Sequence, residues 1–459
     1  MKKNNLQLLS RVVLLLSVAL FFSSCKDTTD PVATKFVADY DAKILIEWQK
    51  TFLDVERYAA GFRPGPAPRS LAYIGLAAYE ACIDKMPNYN SITGRYSGLE
   101  VPKVAENLEY HYPTVLNALY ANLMSKFFSH SDAEQLQKIE DTKAYFDNQF
   151  STENPDVIQR SVAHGNAVAE AAWAWSKTDA VGHDANLDPF GTYNWQDHYD
   201  APGDWVPTAP GPGKPMFPNW GSARRFAIST TDRVCDAPIP YSEDVNSQLY
   251  VQAAEVYARS KVQTFEDKWI GEYWSDDLVN LTFSPGPRWA AIAIQVYENN
   301  QSNLETALYC NAKLGMALND AAVACWFSKY YYNVERPVTY INRLIDPEYK
   351  PALFNPLTNT GGLTPSFPAF PSGHSTMGGA AAEVLTDVFG LGYELADRCH
   401  ENRTEFLGDP RFFHSFYEMA EENAISRVPL GVHFRMDCEV GVDLGYLCGR
   451  RVNQLNWKK

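Results

Sequence analysis

Three segments in the last third of the chain set anion-binding and proton-transferring side chains at fixed spacings. The first is Lys329-Tyr330-Tyr331-Tyr332-Asn333-Val334-Glu335-Arg336-Pro337, with Lys329 seven residues before Arg336. Seven residues turn an α-helix through nearly two full turns. The spacing therefore predicts one helix ending at Pro337, with both cations on one face about 10 Å apart along its axis. Two long cations on one face can converge on a polyanion. The second segment, Pro371-Ser372-Gly373-His374, runs into the small-residue stretch Gly378-Gly379-Ala380-Ala381-Ala382. It reads as a loop entering a helix, whose first N–H groups and positive dipole end suit an oxyanion. Ser372 and the Gly373 amide are its candidate donors, and His374 stands where proton transfer is useful. The third runs from Ser426-Arg427 through Pro429 to His433 and Asp437. Pro429 suits a first helical turn, and His433 and Asp437 then form an i,i+4 pair on one face. A carboxylate there holds one imidazole nitrogen and presents the other outward, as a nucleophilic or metal-binding histidine requires. Taken singly, each segment also fits a plain structural role: a solvated helix face, a capped helix start, a surface His–Asp pair.

In order along one chain, the pattern K-x6-R-P, P-S-G-H, S-R-x5-H-x3-D resembles the signature of a superfamily. It joins type 2 phosphatidic acid phosphatases, bacterial acid phosphatases and vanadium-dependent haloperoxidases. Leu363-Thr364-Pro365-Ser366-Phe367-Pro368-Ala369-Phe370 and the S-R-x-x-L-G-V-H form of the third segment resemble the haloperoxidase branch. So do Trp326, three residues before Lys329, and Phe367, five before Ser372, which are similar to aromatic positions lining the haloperoxidase pocket. The resemblance covers roughly residues 40–452 and is loose before Lys329. There, Arg69 to Ala81, Tyr273-Trp274-Ser275-Asp276-Asp277 and Ser284 to Trp289 look similar without carrying a mechanism.

The resemblance implies vanadate as cofactor, with Lys329, Arg336, Ser372, the Gly373 amide and Arg427 on its oxygens. It implies His433 as the ligand to vanadium, Asp437 behind it, and His374 as the acid/base for peroxide. The implied activity is halide oxidation by hydrogen peroxide to hypohalous acid. Vanadate and phosphate are tetrahedral oxyanions of similar size that can both become five-coordinate. The alternative is therefore a soluble acid phosphatase of the same superfamily, with His433 as nucleophile and His374 as leaving-group acid.

These residues need a scaffold, and apolar spacing at three and four dominates while strict alternation is almost absent, an all-α pattern. Helices are expected at 38–62, 69–86, 113–128, 131–150, 155–175, 247–260, 265–280, 288–299, 304–336, 375–389, 402–407, 412–426 and from 430 onward. Ser131 and Glu134 read as a capping box. Residues 178–243 form a long Pro- and Gly-rich stretch dotted with Trp195, Trp205 and Trp220, expected to be an ordered covering loop. With the resemblance, the expectation is two packed helical bundles of haloperoxidase type over residues 38–459, the anion-site half at about 300–452.

Residues 1–25 read as an export signal. Lys2, Lys3 and Arg11 flank the apolar run from Val12 to Phe22, which is too short to span a bilayer. The run ends in Ser23-Ser24-Cys25, similar to the lipobox of bacterial lipoproteins. Cys25 is the expected lipidation site, with residues 26–37 as a polar tether and the protein anchored to a membrane by lipid alone. No later stretch is apolar enough to span. Composition is that of a globular protein, with 46% hydrophobic and 13% aromatic residues. A net charge of -15 argues against a nucleic-acid partner, so anion chemistry needs a local basic pocket. None of the seven cysteines after Cys25 forms a C-x-x-C, which argues against zinc; most read as buried thiols.

Overall fold

A computed structural model describes residues 35–459; the signal segment, Cys25 and most of the expected tether lie outside the described residues. Val37 already belongs to the folded unit, buried in a 3-10 turn, so the tether reading stops short of it. Five helices come first: α1 (Lys43–Glu56), α2 (Pro66–Cys82), α3 (Tyr112–Phe127), α4 (Ala133–Gln149) and α5 (Pro155–Ser176). After the long covering segment come α6 (Gln248–Lys261), α7 (Phe265–Tyr273), α8 (Pro285–Asn299), α9 (Leu304–Tyr332), α10 (Pro337–Leu344), α11 (Gly373–Phe389), α12 (Phe416–Ile425) and α13 (Arg435–Asn453). Two small antiparallel ribbons complete it: β1 (Phe354–Asn355) with β2 (Thr360–Gly361), and β3 (Leu395–Asp397) with β4 (Arg411–Phe413).

Helix starts follow local chemistry. Proline occupies the first turn of α2, α3, α5, α8 and α10, where a missing N–H costs nothing. Side chains of Asn303, Ser372 and Ser415 cap α9, α11 and α12 by accepting backbone N–H bonds. The start of α4 differs from expectation: the helix begins after Asp132, whose side chain makes no capping bond, and Ser131 lies outside it.

Helices α1–α5 pack on one another, as do α9 and α11–α13, which gives two bundles. α9 is 29 residues long, about 43 Å, and lies along both α2 and α11 as a shared spine. Nearly every residue from Leu304 to Lys329 is buried, so no polar face remains to read from sequence. Close approach needs glycine. A Cβ on Gly445 of α13 would sit 2.2 Å from the Thr376 carbonyl oxygen of α11, and one on Gly315 of α9 would sit 2.7 Å from the Leu71 oxygen of α2.

Several expected elements are shorter or broken. α9 stops at Tyr332 because Asn333 turns left-handed at φ 50°, and Arg336 is the N-cap of a separate helix, α10, that the sequence reading did not anticipate. The two cations are therefore not on one helix. α7 ends at Tyr273 rather than 280, and residues 402–407 form turns. The last helix starts at Arg435, so His433 precedes it. The expected covering loop is ordered as turns and short 3-10 pieces. It is tied to α9 by Asp320, whose buried carboxylate accepts the Phe226, Ala227 and Ile228 amides. Among the described residues, no helix is long and apolar enough to cross a membrane, and no group of His, Cys, Asp and Glu is arranged to hold a metal. Six described cysteines are buried and Cys399 is partly so.

Candidate active site

Five pieces of backbone converge: the C-terminal end of α9, the 364–371 loop, the N-terminus of α11, the 426–434 loop and the first turn of α13. Lys329 is fully buried, and its Nζ donates to the Pro368 and Ala369 carbonyls at 2.8 Å each. An ammonium has a third proton, left to point elsewhere. Arg336, also fully buried, donates from Nε to the Phe367 oxygen at 2.9 Å and from Nη1 to the Val432 oxygen at 2.8 Å. The α9 break explains this geometry. Ending the helix at Asn333 and starting another after Arg336 swings the guanidinium toward the 432–433 loop.

Ser372 caps α11, and its own amide donates to the Asp437 backbone oxygen at 2.8 Å, which pins the start of α11 to the start of α13. Gly373 is the first residue of α11, so its amide has no intrahelical acceptor. A Cβ there would meet the Trp326 ring at 3.4 Å. Trp326 and Phe367 pack together with centroids 4.9 Å apart, and Lys329 Nζ and the Arg336 guanidinium lie 5.1 and 5.0 Å from the Phe367 ring centre. The aromatic pair thus shields two of the cations from water.

His433 and Asp437 do meet, though not as a helix-face pair. Asp437 is the third residue of α13, and its Oδ2 accepts both the Phe434 amide at 3.0 Å and His433 Nδ1 at 2.9 Å. One carboxylate oxygen therefore caps the helix and fixes the imidazole tautomer. With Nδ1 as donor, Nε2 keeps a lone pair, and it faces Arg336 Nη1 at 3.2 Å. Burial, then Arg336, Lys329 and Arg427, push the His433 pKa well below 6.5, so the ring is neutral.

Four further shifts share that cause. Burial draws the Lys329 amine down and pushes the Asp437 carboxyl up. Burial also lowers Arg336 to about 10, which leaves it cationic at neutral pH. His374, second in α11, is lowered to about 4 by burial and then by Arg427.

Sequence reasoning gave no role to Asp277. Its carboxylate bonds Arg427 Nη2 and lies 4.0 Å from His374 Nε2. Burial pushes that carboxyl up, but Arg427, His374 and Arg336 together outweigh it and the net shift is downward. The only sequence sign was an Asp pair after Tyr273-Trp274-Ser275; its partner is 150 residues away.

Three donor atoms on these residues are buried without a protein acceptor, Arg336 Nη2 and Arg427 Nε and Nη1, and His374 Nε2 is buried beside them without a partner. Buried donors of this kind ordinarily have partners. Three cations, Lys329, Arg336 and Arg427, oppose two carboxylates, Asp277 and Asp437. The arrangement is a dry, donor-lined cage suited to an oxyanion, with one neutral imidazole nitrogen at its wall.

Comparison with known proteins agrees. Residues 310–458 match the model of the VCPO second helical-bundle domain. The vanadium chloroperoxidase of Curvularia inaequalis is 26% identical over 321 residues, which is 55% of this chain and 52% of that protein. The chain thus spans about half the length of that curated relative. A crystal structure of a bacterial vanadium-dependent iodoperoxidase superposes with a TM-score of 0.79 at 28% identity, covering 92% of this chain and 98% of the other. The holo-type bacterial vanadium-dependent chloroperoxidase, at 18% identity and TM-score 0.58 over 86% and 94% of the two chains, shares the fold.

Proposed function

We infer that this chain, a member of the vanadium-dependent haloperoxidase family, binds vanadate in the cage and oxidises halide with hydrogen peroxide to hypohalous acid. The observation that carries the reading is the set of buried donors without protein acceptors. A tetrahedral oxyanion supplies acceptors for all of them, so the residues present fit vanadate. Lys329, Arg336, Ser372, the Gly373 amide and Arg427 would hold its oxygens, and His433 would be its nitrogen ligand. When bound, vanadate supplies Lewis acidity toward peroxide without changing oxidation state.

The chain's own residues do the rest. Asp437 keeps His433 in the tautomer whose Nε2 lone pair faces the cage. Asp277 holds Arg427 in place. His374 Nε2, unpartnered and neutral near pH 7, can take a proton from peroxide and return it to a leaving oxygen. Trp326 and Phe367 exclude water beside Lys329 and Arg336, which strengthens each charge's hold on the anion.

One preparation assayed twice tests the function. Vanadate-loaded protein is expected to oxidise iodide with hydrogen peroxide, and phosphate is expected to suppress reconstitution by competing for the cage. Efficient phosphate-ester hydrolysis by vanadate-free protein, with no halide oxidation at any vanadate concentration, would instead establish the phosphatase reading.

Export and lipid attachment at Cys25 belong to the same proposal, supported by the short apolar run ending in Ser23-Ser24-Cys25. Cys25→Ala should release the protein from membranes with its fold and halide oxidation intact. Retention of that variant on membranes after a high-salt wash would refute the anchor.

A further inference from the structure

Behind Asp277 lies a second buried polar cluster that the reading above does not use. Asp276, 1% exposed, has neither carboxylate oxygen within hydrogen-bond reach of a protein donor. The ionisable side-chain atoms nearest it are His400 Nε2 at 3.6 Å, which is itself bonded to Arg288 Nη1, and Arg288 Nη1 at 4.0 Å. Ser275 Oγ, His400 Nδ1 and Arg288 Nε are likewise buried without a protein partner. Five such atoms in one place are not tolerated dry; ordered water is their ordinary partner.

The cluster has an outlet at each end. Ser275 also lines a surface cavity of about 410 Å³, whose wall includes Glu272, Lys268 and Glu405. At the other end, Asp277 faces His374, and Asp276 is itself close enough to raise the His374 pKa.

The reaction gives the cluster a use. Converting halide and hydrogen peroxide to hypohalous acid and water consumes one proton per turnover. The cage is shut off from solvent: His374 is 5% exposed, His433 2% and Arg427 0%. We propose that Ser275, Asp276 and His400 hold a chain of buried waters that passes this proton from the surface cavity to His374. The inference rests on the peroxidase reading for the proton's destination. The steps balance: a proton from bulk water enters at the Ser275 end, is handed along by hydrogen-bond exchange past Asp276, and reaches His374 Nε2. His374 then gives it to the leaving oxygen, and no relay group changes oxidation state. Charged or titratable groups around His374 are Asp277, Asp276, Arg427, Lys329 and His433. Around Asp276 they are Arg288 and His400, with Arg63 on its backbone oxygen.

The test compares wild type with Asp276→Asn, a near-isosteric change, and with Ser275→Ala. Vanadate affinity should be unchanged in both. Turnover should fall about tenfold in Asp276→Asn and less in Ser275→Ala, within the range proton handling controls. Imidazole in the buffer should restore part of the loss. In the vanadate-free protein, exchange of the His374 ring proton with solvent, followed by nitrogen-15 NMR, should slow in both variants. Wild-type turnover and exchange in Asp276→Asn would overturn the relay. So would a parallel loss of vanadate affinity and turnover without imidazole rescue, which marks a structural role. Slowed exchange in the variants, with no halide oxidation by wild type, would support the relay while removing the peroxidase reading.

Discussion

His374→Ala should keep its affinity for vanadate while halide oxidation falls about 10²–10⁴-fold, whereas His433→Ala should lose binding and turnover together. The two imidazoles sit in one cage under different constraints. His433 is held through Nδ1 by Asp437, so its Nε2 is presented as a fixed lone pair. Removing it deletes the imidazole nitrogen whose tautomer Asp437 fixes and leaves the Asp437 carboxylate buried with one partner fewer. Nothing anchors His374 Nε2; it faces Asp277 at 4.0 Å, a spacing that lets it carry a proton without being locked. The cationic donors that grip the oxyanion, Lys329, Arg336 and Arg427, survive in His374→Ala. Equilibrium vanadate binding and steady-state iodide oxidation on the same samples separate the roles. Equal loss of affinity in both variants would contradict the division.

Arg288→Met should cost about 3–5 kcal/mol of stability, the penalty for breaking a buried ion pair from one side. The Arg288 guanidinium is 1% exposed, bonds Asp397 at 2.7 Å, and lies over the rings of Tyr273 and Trp274 at 4.7 and 4.5 Å. Methionine retains much of the packing but takes the cation from the wholly buried Asp397, whose Oδ1 keeps only the neutral donors Gln295 Nε2 and the Cys399 amide. Adding Asp397→Leu should recover part of the loss, because the stranded charge is then gone. Urea denaturation midpoints of the single and double variants decide it. A single variant as stable as wild type would mean that the pair contributes nothing net and that aromatic packing alone holds the 273–277 segment.

How much of this was readable in sequence differs by residue. The helical class and most helix positions follow from apolar spacing and from proline at first turns, because those signals are local. The break in α9 does not. Tyr332-Asn333-Val334 carries no proline or glycine, and the left-handed turn at Asn333 is held by tertiary bonds: the Trp205 amide to its carbonyl, and its side chain to the His198 carbonyl. Lys329 and Arg336 still converge, by a route that the seven-residue spacing misdescribed. His433 and Asp437 were paired correctly for the wrong reason, since the carboxylate acts as a helix cap. Asp277 was invisible because its meaning lies in Arg427, far along the chain. The same holds for Asp276 and His400, which only folding brings together.

The carbonyls that orient Lys329 and Arg336 belong to Phe367, Pro368 and Ala369. A backbone oxygen is the same group whatever side chain its residue bears. The aim of both cations is therefore written in the path of the 367–369 chain, and substitutions along it that preserve that path leave the aim unaltered. Mutational tolerance around the cage should accordingly be set by different things at neighbouring positions: at Ala369, fully buried and bonded through its amide to the Val334 carbonyl, by side-chain volume, and at Phe367 by the ring that also covers the charges. An engineer reshaping the pocket should therefore keep the volume at Ala369 small, so that the chain path that aims both cations is not displaced.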